Sequence, residues 1–331
     1  MDNRICLKAG TCLSFPGMEC RVESFVGKGS NAMVYIGTYP DEQWKDLRHR
    51  VLIKELFPFH PQGMIFRDSE GNVCCTEEAR PLMELHRLSF QRANEIHLQI
   101  LSEYPADIDA NINTFSQNQT LYSVLGFSGG RSLDKEMEQE TGTPLAVYVR
   151  RMMGALDVLE AFHNSGLLHL DISPDNIMVM RNGSIKILDF GGAKDFVTLD
   201  ENSMSVVVKH GYAPEEQYKQ HGDQGPWTDV YALCATMYRC ITGETPPKAL
   251  DRLHTDTLKP ISSFGVNCPK YIEQTITKGL SVHKGGRYCS MGELYNALYG
   301  APQDHERKEL PNNHETTTTT AKKPEKTKVI V

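Results

Sequence analysis

The chain is 331 residues long and 40% hydrophobic, and its 42 acidic and 35 basic residues give a formal net charge of -7. That length can bury a sizeable core, either in two domains of ordinary size or in one domain built as two lobes. Because the charges are spread along the chain without a basic patch, the composition argues against a nucleic-acid or membrane-surface partner.

The nine cysteines show neither the spacing of metal ligands nor neighbouring histidine pairs, so we interpret them as reduced thiols. A structural zinc site at Cys74 and Cys75 is the alternative, and it is disfavoured because adjacent cysteines cannot easily chelate one ion. No segment has the apolar run of a signal peptide or the roughly 20 apolar residues of a spanning helix. These features predict a cytoplasmic protein.

A sheet-rich first lobe is expected over residues 1–127. Short β-branched and aromatic runs, separated by Gly, Pro and Asn, predict strands over 22–124. One helix is expected among them, over 85–101, where apolar residues recur at helical intervals. An extra segment near 58–81 contains a Glu-Gly-Asn turn between apolar flanks, which indicates a small hairpin insertion. We expect this hairpin to decorate the surface.

A mainly helical second lobe is expected over residues 128–300. Apolar residues line one face of a helix over 145–163, and the pattern after Asp229 is helical almost throughout. Residues 301–331 are polar and cannot supply enough burial to offset ordering, which predicts a disordered tail. Because the tail leads from a basic flank into apolar residues, membrane attachment is expected only if the natural chain continues beyond Val331.

Two features of the first lobe could contact phosphate. Gly27 and Gly29 lie between two strands, where glycines let backbone amides approach phosphate oxygens closely. Lys54 ends an apolar strand, and a charge at such a place needs an anion or stays unpaired near a core. Each pattern alone has an ordinary explanation, as a glycine hairpin or as a solvated edge lysine.

Two acids and an amide follow in the second lobe. Asp171 and Asn176 precede an apolar strand predicted over 177–180, and a second strand over 184–188 leads to Asp189 in the tripeptide Asp-Phe-Gly. Phosphoryl transfer needs such a set, because Mg²⁺ takes oxygen ligands and the attacking hydroxyl needs an acceptor. An isolated Asp-Phe-Gly is an ordinary turn, but several motifs in this order are not expected of an unrelated chain.

With these motifs the chain resembles the bacterial members of the eukaryotic-type (Hanks-type) protein serine/threonine kinase family, over residues 26–298. The resemblance implies an α+β, two-lobed protein-kinase-like fold, with ATP as the phosphoryl donor and Mg²⁺ as the metal. It implies protein substrates with serine or threonine acceptors. That acceptor preference is favoured by Pro174 and by the absence, from the same loop, of the alanine and arginine typical of tyrosine kinases.

The resemblance also assigns catalytic roles. Asp171 would accept the proton of the substrate hydroxyl, and Asn176 and Asp189 would hold Mg²⁺. Lys54 would contact the α- and β-phosphates and pair with Glu95. Other carboxylates on the same helical stretch are Glu84 and Glu103.

Nucleotide contacts follow in the same way. Gly27 and Gly29 would cover the phosphates, while Val34, Leu125 in the gatekeeper position and Phe127 in the hinge would surround the base.

The end of the activation segment is expected at residues 211–215, where Glu215 would pair with Arg287. Asp229 would brace the backbone of the catalytic loop, with a plain helix N-cap as the alternative.

Three departures from the family pattern bear on mechanism. Ala32 replaces the third glycine of the phosphate loop. An alanine is tolerated there as long as the backbone at this position avoids positive φ. Leu52 replaces a smaller alanine, so the pocket over the base should be tighter. Leu170 replaces the arginine that binds a phosphorylated activation loop in many relatives. We therefore expect no obligatory activating phosphosite among the available hydroxyls, which are Thr198, Ser203 and Ser205.

A fourth departure looks like an exchange. Ser173 stands where serine/threonine kinases usually place a lysine, and Lys209 stands where they usually place a threonine. A reciprocal exchange would keep one ammonium and one hydroxyl beside Asp171. The alternative is that Lys209 points into solvent.

Two other functions stay open from the sequence. A pseudokinase scaffold that binds nucleotide and signals by shape is motivated by Ala32, Leu170 and Ser173. A small-molecule phosphotransferase of the same fold is disfavoured by the Ala-Pro-Glu and Asp-Phe-Gly segments. The sequence names neither the physiological substrate nor the activating signal, and it leaves the oligomeric state unknown.

Overall fold

The computed structural model of the chain describes residues 2, 4–15, 17–29, 31–41, 43–44, 46–103, 111–127, 129–139, 145–188, 194–195, 208–219 and 222–300. Within these ranges a sheet-rich first part is followed by a helical second part, which confirms the predicted two-lobed α+β fold. The predicted polar tail, Asp189 and the three candidate phosphosites lie outside the described residues.

Six strands form the sheet of the first lobe: β1 (Cys12–Phe15), β2 (Met18–Lys28), β3 (Ala32–Pro40), β4 (Arg48–Leu56), β7 (Asn111–Gln117) and β8 (Thr120–Gly126). They pair antiparallel in the order β1-β2-β3-β4-β8-β7. Strands β7 and β8 are joined by Asn118 and Gln119, both at positive φ, which matches the twist of a two-residue hairpin. The predicted helix of this lobe is confirmed as α1 (Arg80–Glu103).

Within the predicted insertion, strands β5 (Ile65–Arg67) and β6 (Val73–Cys75) form an antiparallel hairpin. The expectation that this hairpin decorates the surface is wrong. Ile65 and Val73 are buried in one core with Tyr35, Ile53 and Tyr122 of the main sheet. The hairpin therefore covers one face of that sheet, and removing it would expose apolar area to water.

A charged group lies in the middle of this core. Glu55 is fully buried and accepts hydrogen bonds from Tyr35 Oη at 2.7 Å, Tyr122 Oη at 2.6 Å and Arg67 Nη2 at 2.6 Å. Burial, reinforced by the carboxylate of Glu55, raises the pKa of both tyrosines, so each remains a donor. Arg67 comes from the hairpin, and the buried ion pair thus joins the insertion to the strand that carries Lys54.

The second lobe is built mostly from helices, which are α2 (Leu133–Gln139), α3 (Leu145–Asn164), α4 (Pro226–Thr242), α5 (Ala249–Arg252), α6 (Lys270–Gly279) and α7 (Met291–Tyr299). Short strands accompany them: β9 (Arg131–Ser132), β10 (Leu167–Leu168), β11 (Ile177–Val179), β12 (Ile185–Ile187) and β13 (Lys194–Asp195). Single 3₁₀ turns cover Pro174–Asn176, Glu215–Tyr218, Ile261–Phe264 and Lys284–Gly286. Across the described ranges, every helix falls short of the length or the hydropathy that crossing a bilayer requires.

Helices α3 and α4 form the centre of the second core. Leu156, Leu159 and Phe162, predicted to share one face of a helix, are buried there against residues of α4. Pro226 occupies the first turn of α4, where its missing N–H costs nothing, and Gly243 ends the helix at φ 78°. Pro226 thereby marks the start of α4 and places Asp229 in the first turn of the helix.

Candidate active site

The strand register places the first group of predicted residues side by side. Gly27 pairs with Val34 across β2 and β3, and Val34 pairs with Lys54 across β3 and β4. On the same sheet Leu52 pairs with Leu125 of β8, and both are buried. Because alternate residues of a strand share a face, Leu52 and Lys54 point to the face opposite the core of Ile53 and Glu55. A lysine and apolar side chains thus share one sheet face beside the glycine turn.

The glycine turn leaves open space beside its backbone. A Cβ added at Gly27 would meet no atom within 4 Å, so the space beside that backbone is open. The turn is closed by a hydrogen bond from Gly29 N to Ala32 O at 2.8 Å. Ala32 lies in β3 and is not at positive φ, so its side chain costs nothing there. These features fit the phosphates of a nucleotide.

The residue predicted to end the base pocket has a partner in β4. Phe127 is half-buried, and the guanidinium of Arg50 lies over its ring, 4.8 Å from the centroid. A cation on one ring face fixes the orientation of the aromatic side chain that follows β8. Its proposed contact with the base remains a prediction.

A second group forms around Asp171. Asn176 Nδ2 donates to the backbone oxygen of Asp171 at 2.7 Å and to its carboxylate at 2.9 Å. Because the amide nitrogen makes these bonds, Oδ1 is the atom of Asn176 that can bind a metal ion. Leu188 N donates to Asn176 O at 2.8 Å, which ties the end of β12 to the same loop. Asp189, the third member of the predicted set, lies outside the described residues.

Asp229 holds the backbone of this loop, as predicted. Its carboxylate accepts hydrogen bonds from His169 N and Leu170 N, each at 2.8 Å, and lies 2.9 Å from Nε2 of His163. Burial would raise the pKa of Asp229, but the hydrogen bond with His163 and the nearby imidazoles hold the pKa below its ordinary value. The helix N-cap is Gly225, so Asp229 serves the loop and is not the cap.

Leu170 adopts a strained backbone conformation at φ 62°. Its N–H is held by Asp229, and its carbonyl accepts a hydrogen bond from Gln217 Nε2 at 2.8 Å. Sequence analysis missed Gln217 and His163, because a side chain that binds distant backbone or a buried carboxylate leaves no local pattern. Together these contacts fix the residue before Asp171 without the arginine usual at that position.

The ion pair at the end of the activation segment uses the neighbouring glutamate. Arg287 Nη1 lies 2.7 Å from Glu216, and both side chains are buried. The predicted pairing with Glu215 is therefore wrong. Glu215 instead binds Lys219 and His283, and the hydrogen bond from Lys219 lowers its pKa. The 3₁₀ turn after Pro214 directs the second glutamate of the pair into the core.

Lys209 contacts the loop that carries Asp171, so the alternative that it points only into solvent is wrong. Its Nζ donates to Ser173 Oγ at 2.9 Å and also pairs with Asp175. Ser173 is fully buried and lies two residues after Asp171. An ammonium and a hydroxyl therefore meet beside the catalytic loop, with the two residue types at exchanged positions.

Glu95 does not occupy its expected place. Its side chain is 65% exposed and pairs with Arg92 on the same helix, at 3.2 Å. The buried side of α1 carries Ile96, His97 and Ile100 instead. Among the described residues no ion pair joins Glu95 to Lys54, so the expected pairing is wrong for this arrangement of the helix.

Comparisons with known proteins identify the family to which the chain is similar. A family match described as the protein kinase domain covers residues 84–277, more than half of the chain. Serine/threonine-protein kinase F of Synechocystis sp. is 28% identical over 249 residues, 73% of this chain and 48% of that protein. PknA, a serine/threonine-protein kinase of Nostoc sp., is 25% identical over 285 residues, 84% of this chain and 46% of that protein. Pkn1, a serine/threonine-protein kinase of Myxococcus xanthus, is 32% identical over 200 residues, 56% of this chain and 28% of that protein. The chain thus spans less than half the length of these curated relatives.

Proposed function

This chain belongs to the protein kinase family, and we propose that it transfers the γ-phosphoryl group of Mg·ATP to serine and threonine hydroxyls of other proteins. The observation that carries the proposal is the hydrogen-bonded pair of Asp171 and Asn176 in the loop that Asp229 braces. The register that sets Lys54 beside the glycine turn supports it. Protein kinases in general use ATP and Mg²⁺, and both groups of residues fit that pair.

The roles follow from the chemistry of each side chain. When bound, Mg²⁺ neutralises charge on the phosphates, and Asn176 Oδ1 and Asp189 are the oxygens proposed to hold it. Lys54 places a positive charge beside the phosphate groups, and Gly27 and Gly29 offer backbone to them. Asp171, with its carboxylate oriented by Asn176, accepts the proton of the attacking hydroxyl.

We propose that Val34, Leu125 and Phe127 surround the base. Val34 and Leu125 lie on β3 and β8, the two strands that flank the strand of Lys54, and Phe127 follows β8. Glu95 is exposed and pairs with Arg92, so it is not among the residues that we propose to contact the nucleotide. We place the protein in the cytoplasm, because its nine cysteines are free thiols and its nucleotide is an intracellular one.

Incubation with Mg·ATP and a generic protein acceptor tests the proposal. We expect phosphate on serine or threonine of the acceptor, located by mass spectrometry, with the native chain and not with Asp171→Asn or Asp189→Asn. The matched control is Asp157→Asn, because Asp157 is an exposed aspartate of α3 and belongs to none of the proposed site groups. Equal labelling by native and Asp171→Asn chains, or labelling confined to tyrosine, would contradict the proposal. Nucleotide binding without any transfer would favour a pseudokinase scaffold.

A further inference from the structure

The segment before the first strand reaches back to the glycine turn. Residues 2 and 4–7 of this segment, called here the N-terminal clasp, carry Arg4, whose guanidinium side chain is only 2% exposed. Arg4 Nη2 donates to the carbonyl oxygen of Gly29 at 2.6 Å, and Nη1 donates to the carbonyl oxygen of Phe57. One side chain thus connects the glycine turn with the residue that follows β4, the strand of Lys54.

Charged groups hold Arg4 in this position. Asp2 accepts from Arg4 Nη2 at 2.7 Å and from Nε at 3.1 Å, and this side-chain hydrogen bonding lowers the pKa of Asp2 to about 2. In return, Lys28 Nζ of the glycine turn donates to the carbonyl oxygen of Arg4 at 2.7 Å. The clasp and the turn are therefore joined in both directions, by bonds from charged donors to backbone acceptors.

The other end of the clasp is fixed to the core. Leu7 is buried, and its N–H donates to Tyr35 Oη at 3.2 Å. The carbonyl of Ile5 accepts from Arg67 Nε at 2.9 Å, so the inserted hairpin supports the clasp as well. The clasp is consequently attached to the core of the first lobe at one end, while Arg4 contacts the glycine turn at the other.

We propose that Arg4 is a positioning residue for the nucleotide, which holds the glycine turn in the form that receives the phosphates. This inference rests on the proposed function, since it concerns the affinity of the same site for Mg·ATP. A carbonyl bound to a guanidinium is not turned towards an anion, so the bond from Arg4 keeps a repulsive dipole of Gly29 away from phosphate. Fixing a turn that contains two glycines in advance also lowers the entropic cost of ordering it on binding.

Titration of the full chain with a fluorescent ATP analogue in the presence of Mg²⁺, together with steady-state kinetics, tests the role of Arg4. Because a hydrogen bond from a charged donor changes an equilibrium about tenfold, Arg4→Ala should raise Kd and KM for ATP about tenfold. The value of kcat should change less than about twofold, as expected when binding is lost uniformly. Arg80→Ala is the matched control, because Arg80 is exposed, pairs with Glu77 on the surface and should leave Kd unchanged.

Two further measurements keep the test decisive. Arg4→Lys retains the charge but cannot reach both carbonyls, so it should give an intermediate Kd with a Tm close to native. Millimolar guanidinium should restore the affinity of Arg4→Ala towards the native value. An unchanged Kd in the folded Arg4 variants, or a loss confined to kcat, would overturn the role of Arg4 while the native chain still bound nucleotide. Absence of nucleotide binding by the native chain would instead overturn the proposed function, and this inference with it.

Discussion

Replacing Lys209 with methionine removes the ammonium that donates to the buried Ser173 Oγ at 2.9 Å. Ser173 stands two residues after Asp171, so we propose that the ammonium of Lys209 does the work usually done by a lysine at position 173. The reciprocal double variant, Ser173→Lys with Lys209→Thr, restores both groups at exchanged positions. This double variant is therefore the most specific test of the exchange.

The expected magnitudes separate a structural role from a chemical one. The pair between Lys209 and Asp175 has side chains 37% and 54% exposed, so it contributes about 1 kcal/mol or less to the free energy of unfolding. The hydrogen bond to Ser173 adds about 1.5–3 kcal/mol, as is usual for a charged donor. A positive group that stabilises charge in the transition state contributes about 100-fold or more to kcat. A merely structural lysine would lower stability and leave kcat of the folded protein unchanged.

The assay is transfer of phosphate to a generic protein acceptor, with the folded fraction of each variant measured in parallel. Lys209→Met, Lys209→Thr and Ser173→Lys alone should each lower kcat about 100-fold. The double variant, Ser173→Lys with Lys209→Thr, should recover at least about tenfold of the loss seen in its two component single variants. Lys219→Met, which removes an exposed lysine paired with Glu215, is the matched control and should leave kcat unchanged. A kcat within about twofold of native for Lys209→Met would refute the reasoning, as would a double variant no better than the worse single one.

Other regions of the structure give further predictions. Glu216→Ala leaves Arg287 buried without its partner and should lower the free energy of unfolding in urea by about 3–5 kcal/mol. Glu215→Ala removes a partly exposed pair and should cost about 1 kcal/mol or less, and equal costs for the two variants would contradict the assignment. Because the pKa of Asp229 is lowered in the fold, the Asp229 carboxylate contributes fully to stability at a pH above the ordinary pKa of about 4, and this contribution is lost as the pH falls through the folded pKa. Asp229→Asn should therefore flatten the acid limb of the curve of unfolding free energy against pH, and an unchanged limb would count against this account. Leu52→Ala should lower KM about tenfold for ATP analogues enlarged on the base, and an unchanged KM would show that Leu52 does not lie over the base.

Periodicity predicted the elements whose side chains are buried on one face. Helix α3 begins and ends within one residue of its predicted bounds, because a continuous apolar stripe must face the core. The neighbourhood of Gly27, Val34 and Lys54 could also be predicted, since short connections between antiparallel strands leave little freedom of register.

Pairings that depend on a single turn could not be predicted. Glu215 and Glu216 are chemically identical in the sequence, and only the 3₁₀ turn after Pro214 decides which of them meets Arg287. Similarly, the helical rotation of α1 decides that Glu95 faces solvent, and periodicity does not fix that rotation where both faces carry polar residues. The contacts of Lys209 with Ser173 could be anticipated only as a complementary exchange of residue types.

A charged residue within an apolar strand is a signal in the sequence for a buried pairing. A charge at an apolar strand must find a partner, and this holds for Glu55 as it does for Lys54 beside it. Its partner, Arg67, belongs to the insertion, and a pairing between separate elements has no local pattern. Without that pairing, the sequence alone presents the hairpin as an external addition.

The ion pair between Glu55 and Arg67 makes the sheet and the insertion depend on each other. A chimera that grafts this first lobe onto a related enzyme while trimming the hairpin would leave a buried carboxylate without its guanidinium. Grafting the hairpin alone would bury an unmatched cation in the recipient. Recombination between relatives, in the laboratory or in evolution, should therefore retain positions 55 and 67 together or lose them together.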